Sequence, residues 1–95
     1  MNKINLVISN TEYKNVYIAK SFYERFKGLM FVPKEKAFNL LITNCNSVHT
    51  CFMKFNLDIY CLDKDYKILK FYKNIKPFRF ILPHRKVKHI LEIPV

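Results

Sequence analysis

A small α+β fold, its mostly antiparallel sheet curled or barrel-like and carrying one short helix at about residues 21–28, follows from three features of this chain. Short runs with period-two alternation recur along its length. A single segment carries helix signals at both ends. The strand–helix–strand alternation of a doubly wound nucleotide fold is missing. At 95 residues the chain is read as one domain spanning 1–95, and a chain this short buries roughly 60–65% of its unfolded surface, so its core is modest.

Each element has a local reason. Residues 4–9 alternate with Ile4, Leu6 and Ile8 on one face, Asn10 and Thr11 turn the chain, and 15–19 returns with Val16 and Ile18, which together suggest a hairpin. In 21–28, Ser21 can cap the first turn, Glu24 three residues on completes a capping box, and Gly28 supplies the residue that commonly ends a helix. Phe22 and Phe26 stand four apart and are expected to dock together on the sheet. Leu29, Met30 and Phe31 form an apolar plug, and Pro33 opens a surface loop over 32–36.

A third strand is expected over 37–42, a loop of turn-forming residues over 43–47, and a fourth strand or irregular edge over 48–54. After a break at Phe55 and Asn56, residues 57–62 alternate strictly, with Leu57, Ile59 and Cys61 on one side and Asp58, Tyr60 and Leu62 on the other. The turn Asp63-Lys64-Asp65 returns the chain through 66–72, the best-supported pairing in the sequence. A loop at 74–77, a short strand at 78–82, a basic connection at 83–88 and a last strand at 89–93 complete it.

Composition narrows the classes. Hydrophobic residues make up 51% of the chain and Phe and Tyr 16%, which excludes disorder. No apolar run reaches the roughly 18–20 residues of a membrane span, and the N-terminus lacks a secretory leader, so the expected location is cytoplasmic. Cys45, Cys51 and Cys61 are an odd number at irregular spacing and fit a reducing compartment better than a disulfide framework. The net charge of +10 invites an anionic partner. Yet the cations are mostly dispersed Lys in a chain rich in Asn, Ile, Phe and Tyr with a single Gly, a pattern of compositional bias.

Three motifs stand in order: Glu24-Arg25-Phe26-Lys27-Gly28-Leu29-Met30, then the stretch from His49-Thr50-Cys51-Phe52-Met53 to Asp58-Ile59-Tyr60-Cys61-Leu62-Asp63, then Leu91-Glu92-Ile93-Pro94. Over residues 12–95 the chain resembles the prokaryotic family known as domain of unknown function 192. The resemblance implies a mostly antiparallel β domain with a short helix and no established activity. It matches the family's motif residues to Arg25, Gly28, Leu29, Met30, His49, Thr50, Met53, Asp58, Asp63, Pro77 and Glu92. The family's Gly before the third strand and its Gly and further stretch after the terminal Leu-Glu have no counterpart here.

The candidate site is a polar cluster of Arg25, His49, Asp58 and Glu92, with Thr50 and Met53 beside it. Charged groups inside apolar runs must either face solvent or be held by partners. The function this supports is a binding or accessory module, monomeric, for an unidentified protein or small molecule, with no cofactor called for. One alternative is an enzyme in which His49 and Asp58 form an acid–base pair and Cys51 is nucleophile or metal ligand. Another is nucleic-acid binding through Arg79, His84, Arg85, Lys86 and Lys88 with Phe78 and Phe80. No metal centre is expected: Cys45, His49 and Cys51, with Cys61 or His89 as a fourth, have suitable ligand types but no Cys-x2-Cys knuckle.

Overall fold

The computed structural model describes residues 2–95. In chain order the elements are β1 (Lys3–Ile8), β2 (Thr11–Ala19), α1 (Phe22–Lys27), a 3-10 turn (Lys34–Lys36), β3 (Leu40–Thr43), β4 (Val48–His49), β5 (Leu57–Leu62), β6 (Ile68–Ile75), β7 (Phe80–Ile81) and β8 (His89–Pro94). Six strands make one sheet in the order β1-β2-β3-β8-β5-β6, and β4 pairs with β7 in a separate ribbon.

The expected small α+β architecture is what forms, with mostly antiparallel pairing. Within the six-stranded sheet only β2 and β3 run parallel. That pair is joined by a crossover carrying α1, which needs the dozen or more residues a parallel connection requires. The sheet is open rather than closed into a barrel, with β1 and β6 at its edges. Lys70 and Lys73 lie on β6, where charge discourages further pairing.

The sheet is covered on both faces at its centre. One face carries Ala19, Leu40, Ile42, Leu57, Ile59, Cys61 and Ile90 against Leu29, Met53, Phe55, Ile81 and Val87 from the loops and the β4–β7 ribbon. The other carries Ile8, Val16, Leu41, Leu62 and Leu91, packed by Tyr13, Tyr60, Tyr66 and Ile93. Strands buried on both sides read as continuous apolar runs, which explains Leu40-Leu41-Ile42 and Ile90-Leu91.

Local chemistry sets several boundaries. Ser9 and Asn10, both at positive φ, make the two-residue turn between β1 and β2, one residue earlier than expected. The capping box forms as predicted: the Glu24 N–H donates to Ser21 Oγ at 3.1 Å, and the Ser21 N–H donates to Glu24 Oε1 at 3.2 Å. The expected docking of Phe22 and Phe26 does not occur. They stack on each other with centroids 6.4 Å apart, yet are 78% and 59% exposed. A helix of under two turns presents one narrow face, and here that face is given to Arg25, with Leu29 beyond the helix as the buried anchor. The fourth strand shrinks to Val48–His49, because Thr50 turns the chain away. No helix among the described residues is long and apolar enough to cross a membrane.

Candidate functional site

A pocket of about 370 Å3 opens between α1, the loop after β3, β4 and the end of β8. Arg25, Gly28, His49, Met53 and Glu92 line it together, with Phe22 and Phe26 on the helix side. The volume is at the lower end of the roughly 300–1,000 Å3 typical of small-molecule sites.

Glu92 is the floor. It sits in β8 in register with Leu40 on one side and Ile59 on the other, so its side chain emerges among the apolar residues of the α1-covered face. It is 1% exposed, and its Oε1 has no hydrogen-bond partner among the described residues. Burial alone pushes its carboxyl from the usual carboxylate range up to about 8. At neutral pH it is therefore mostly a neutral acid, able to donate one hydrogen bond and accept others.

Gly28, the single glycine of the chain, makes room for it. Its φ of 50° with ψ of −125° is accessible in practice only to glycine. A Cβ there would stand 3.7 Å from Glu92 Oε1 and 3.9 Å from Met53 Cε. The residue thus ends the helix and keeps the space above the carboxyl open.

Arg25 brings the cation. Its Nη1 reaches the backbone carbonyls of Thr43 and Asn44 at 3.4 Å each, long hydrogen bonds that leave most of the guanidinium's donors unused by them. His49 lies between aromatic rings, 5.8 Å from Phe26 and 6.5 Å from Phe80. Its Nδ1 accepts from the Cys51 N–H at 3.2 Å, so in the neutral ring Nε2 carries the hydrogen.

Two predicted residues lie elsewhere. Asp58 is on the opposite face of the sheet: adjacent strand residues point to opposite sides, and it is Ile59 that aligns with Glu92. Its Oδ1 instead accepts from the Asn74 N–H at 2.8 Å in an exposed setting. The cluster of Arg25, His49, Asp58 and Glu92 therefore forms without Asp58, and the His49–Asp58 acid–base pair does not assemble. On that same far face Tyr13 donates to the Tyr60 hydroxyl at 3.0 Å, and burial, with help from Tyr60, pushes the Tyr13 hydroxyl up to about 12.

Thr50 is a clip rather than a lining residue. Buried to 1% exposure, its hydroxyl donates to the Lys76 carbonyl and accepts from the Arg79 N–H, both at 2.8 Å, locking the 76–79 loop against β4. Of the cysteines, Cys45 lines the pocket and donates to the Ser47 carbonyl at 2.8 Å. Cys51 is half-buried outside the pocket lining, and burial pushes the Cys61 thiol up within the core. Among the described residues no three His, Cys, Asp or Glu side chains come together as a metal site. The aromatic lining from Phe22 and Phe26 escaped the sequence argument, since their i, i+4 spacing is the same whether they are buried or exposed.

Comparison with known proteins places the fold and the family. Residues 5–95 match the family DUF192, described as an uncharacterized ACR. A UPF0127 protein of Thermococcus sibiricus is 33% identical over 99 residues, covering 95% of this chain and 64% of that protein. The UPF0127 protein of Pyrococcus furiosus is 34% identical over 83 residues, covering 83% of this chain and 71% of its own length. This chain thus spans less than two thirds of the first of these relatives. Among solved structures, a Novosphingobium aromaticivorans protein of unknown function superposes with a TM-score of 0.71 at 19% identity, over 95% of this chain and 70% of that one. A candidate transcription regulator from Sinorhizobium meliloti 1021 gives a TM-score of 0.75 at 18% identity, over 95% and 77%. These likenesses show the shared fold, and the match across the chain shows that it belongs to the DUF192 family, whose function is uncharacterised.

Proposed function

We propose that the chain is a ligand-binding module, one cytoplasmic domain acting as a monomer, whose site is the pocket of Arg25, Gly28, His49, Met53 and Glu92. The observation that carries this reading is the buried, unpartnered Oε1 of Glu92 facing that pocket. Burying a polar group without a partner costs roughly 1–3 kcal/mol, a cost a bound ligand would offset. Three unbridged cysteines support a reducing compartment.

The lining selects a small organic acid. Arg25 offers a planar fork suited to a carboxylate, and its present bonds to carbonyls are long enough to be exchanged for shorter charge-assisted ones. Neutral Glu92 can donate to a hydroxyl or carbonyl oxygen at the other end of such a ligand. Met53, Phe22, Phe26 and Val48 cover its hydrocarbon. Once Glu92 ionises, its charge repels the anion, so affinity should fall as pH rises through about 8.

Calorimetric titration with short hydroxy and oxo acids at pH 6.5 and pH 9 tests this. Binding is expected at the lower pH, weaker by at least about tenfold in Arg25→Ala. Glu92→Gln should keep binding and lose its dependence on pH. Absence of heat with every acid, or affinity indifferent to Arg25→Ala, would remove this reading.

A further inference from the structure

Away from the pocket, three turns bring Phe31, Phe52 and Phe78 together. Phe31 stacks on Phe52 with centroids 5.3 Å apart, and Phe78 meets Phe52 edge-on at 5.4 Å. All three are more than half exposed, as is Phe80 two residues on. All three also sit at positive φ, 64°, 61° and 62°, a region that bulky L residues rarely occupy. Backbone hydrogen bonds hold the turns there: the Phe31 N–H donates to the Phe52 carbonyl at 3.0 Å and the Phe78 N–H to the Thr50 carbonyl at 3.1 Å. Strained backbone that displays apolar rings to water costs stability twice, and such a combination points to a partner that covers the rings.

Charge narrows the partner. The same turns carry exposed Lys54, Lys76 and Arg79, and no Asp or Glu falls within 49–57 or 76–82.

 The two turns at 50–54 and 76–80 are thus purely cationic as well as aromatic. A second copy of this chain would set those cations against their own kind, and the +10 net charge opposes it further. Two anionic partners then remain, a nucleic acid and a lipid surface, and the ring geometry separates them. Base stacking needs open ring faces, and the Phe31–Phe52 stack already occupies one face of each of those rings. Phe carries no polar atom, so these exposed rings can enter an acyl boundary without leaving a hydrogen bond unmade.

We infer that the Phe31, Phe52 and Phe78 turns, flanked by Lys54, Lys76 and Arg79, dock the protein peripherally on an anionic lipid surface. The rings enter the headgroup–acyl boundary and the cations pair with lipid phosphates and carboxylates. This is independent of the pocket, since none of the three rings lines it.

Co-sedimentation of the full chain with vesicles tests the inference, using phosphatidylcholine alone or mixed with phosphatidylserine. The paired variant Phe52→Asn and Phe78→Asn is the key comparison, because Asn tolerates positive φ and should leave the fold and melting temperature intact. The expected result is binding to the mixed vesicles, at least about tenfold weaker to the neutral ones and at least about tenfold weaker for the paired variant. A second variant, Lys76→Gln with Arg79→Gln, should weaken binding to the mixed vesicles alone. No binding to either vesicle overturns the inference, as does equal binding by the Asn variant. Tight binding to a single-stranded oligonucleotide without vesicle binding also overturns it and assigns the surface to nucleic acid.

Discussion

Replacing Glu92 with Gln should make this protein more stable above neutral pH, and the size of the gain is set by burial. The carboxyl rises from 4.5 to about 8 on folding, with desolvation as the cause. A raised folded-state value means the native state holds its proton longer than the unfolded chain. Stability from this group is then fully present below pH 4.5, declines as pH rises, and is lost above about 8. A shift of that size is worth about 5 kcal/mol, comparable with the whole stability of a small domain. Gln keeps a donor and an acceptor and cannot ionise, so it escapes the loss. The assay is urea unfolding of both proteins at pH 4.5, 6, 7.5 and 9. Comparing the two cancels His89, whose value burial lowers and which acts with the opposite sign. It also cancels Glu24 and Asp63, whose values backbone hydrogen bonds lower. The Glu92→Gln protein should gain progressively on the wild type up to pH 9. Parallel stability curves across that range would refute the claim that Glu92 is buried without a partner.

Three further changes probe the site and its frame. Gly28→Ala should cost about 1–3 kcal/mol in chemical denaturation, because the φ of 50° with ψ of −125° strains any other residue, and it should narrow the pocket beside Glu92. Thr50→Val strands the Lys76 carbonyl and the Arg79 N–H, and a loss of about 2–4 kcal/mol is expected, read as a shifted urea midpoint at unchanged slope. Asp58→Asn should change stability by less than about 1 kcal/mol and leave pocket binding intact, since Asp58 holds only an exposed N–H on the far face. A large loss of ligand affinity there would contradict its placement.

Much of the fold was legible because its signals are local. Ser21, Glu24 and Gly28 announce α1 through side-chain hydrogen bonds within a few residues. The alternation of 57–62 gives β5 over the same residues that form it, Leu57–Leu62, and the turn after it gives the pairing with β6. The family motifs likewise lead to Arg25, His49, Met53 and Glu92, which do share a pocket.

What the sequence determined by itself was where most of the strands lie, where the helix begins and ends, and which residue types carry the chemistry. Period, capping and turn preference act over a few residues, so they survive without knowledge of the fold. Only the tertiary structure decided that β2 and β3 run parallel, that Asp58 falls on the face away from Glu92, and that Phe22 and Phe26 look outward. Those outcomes depend on strand order and register between segments distant in the chain. One residue of register moves a side chain across the sheet. The local pattern of β5 and β8 is the same whichever way their faces are matched, and the packing of both faces at once selects the match that buries Glu92 beneath the pocket.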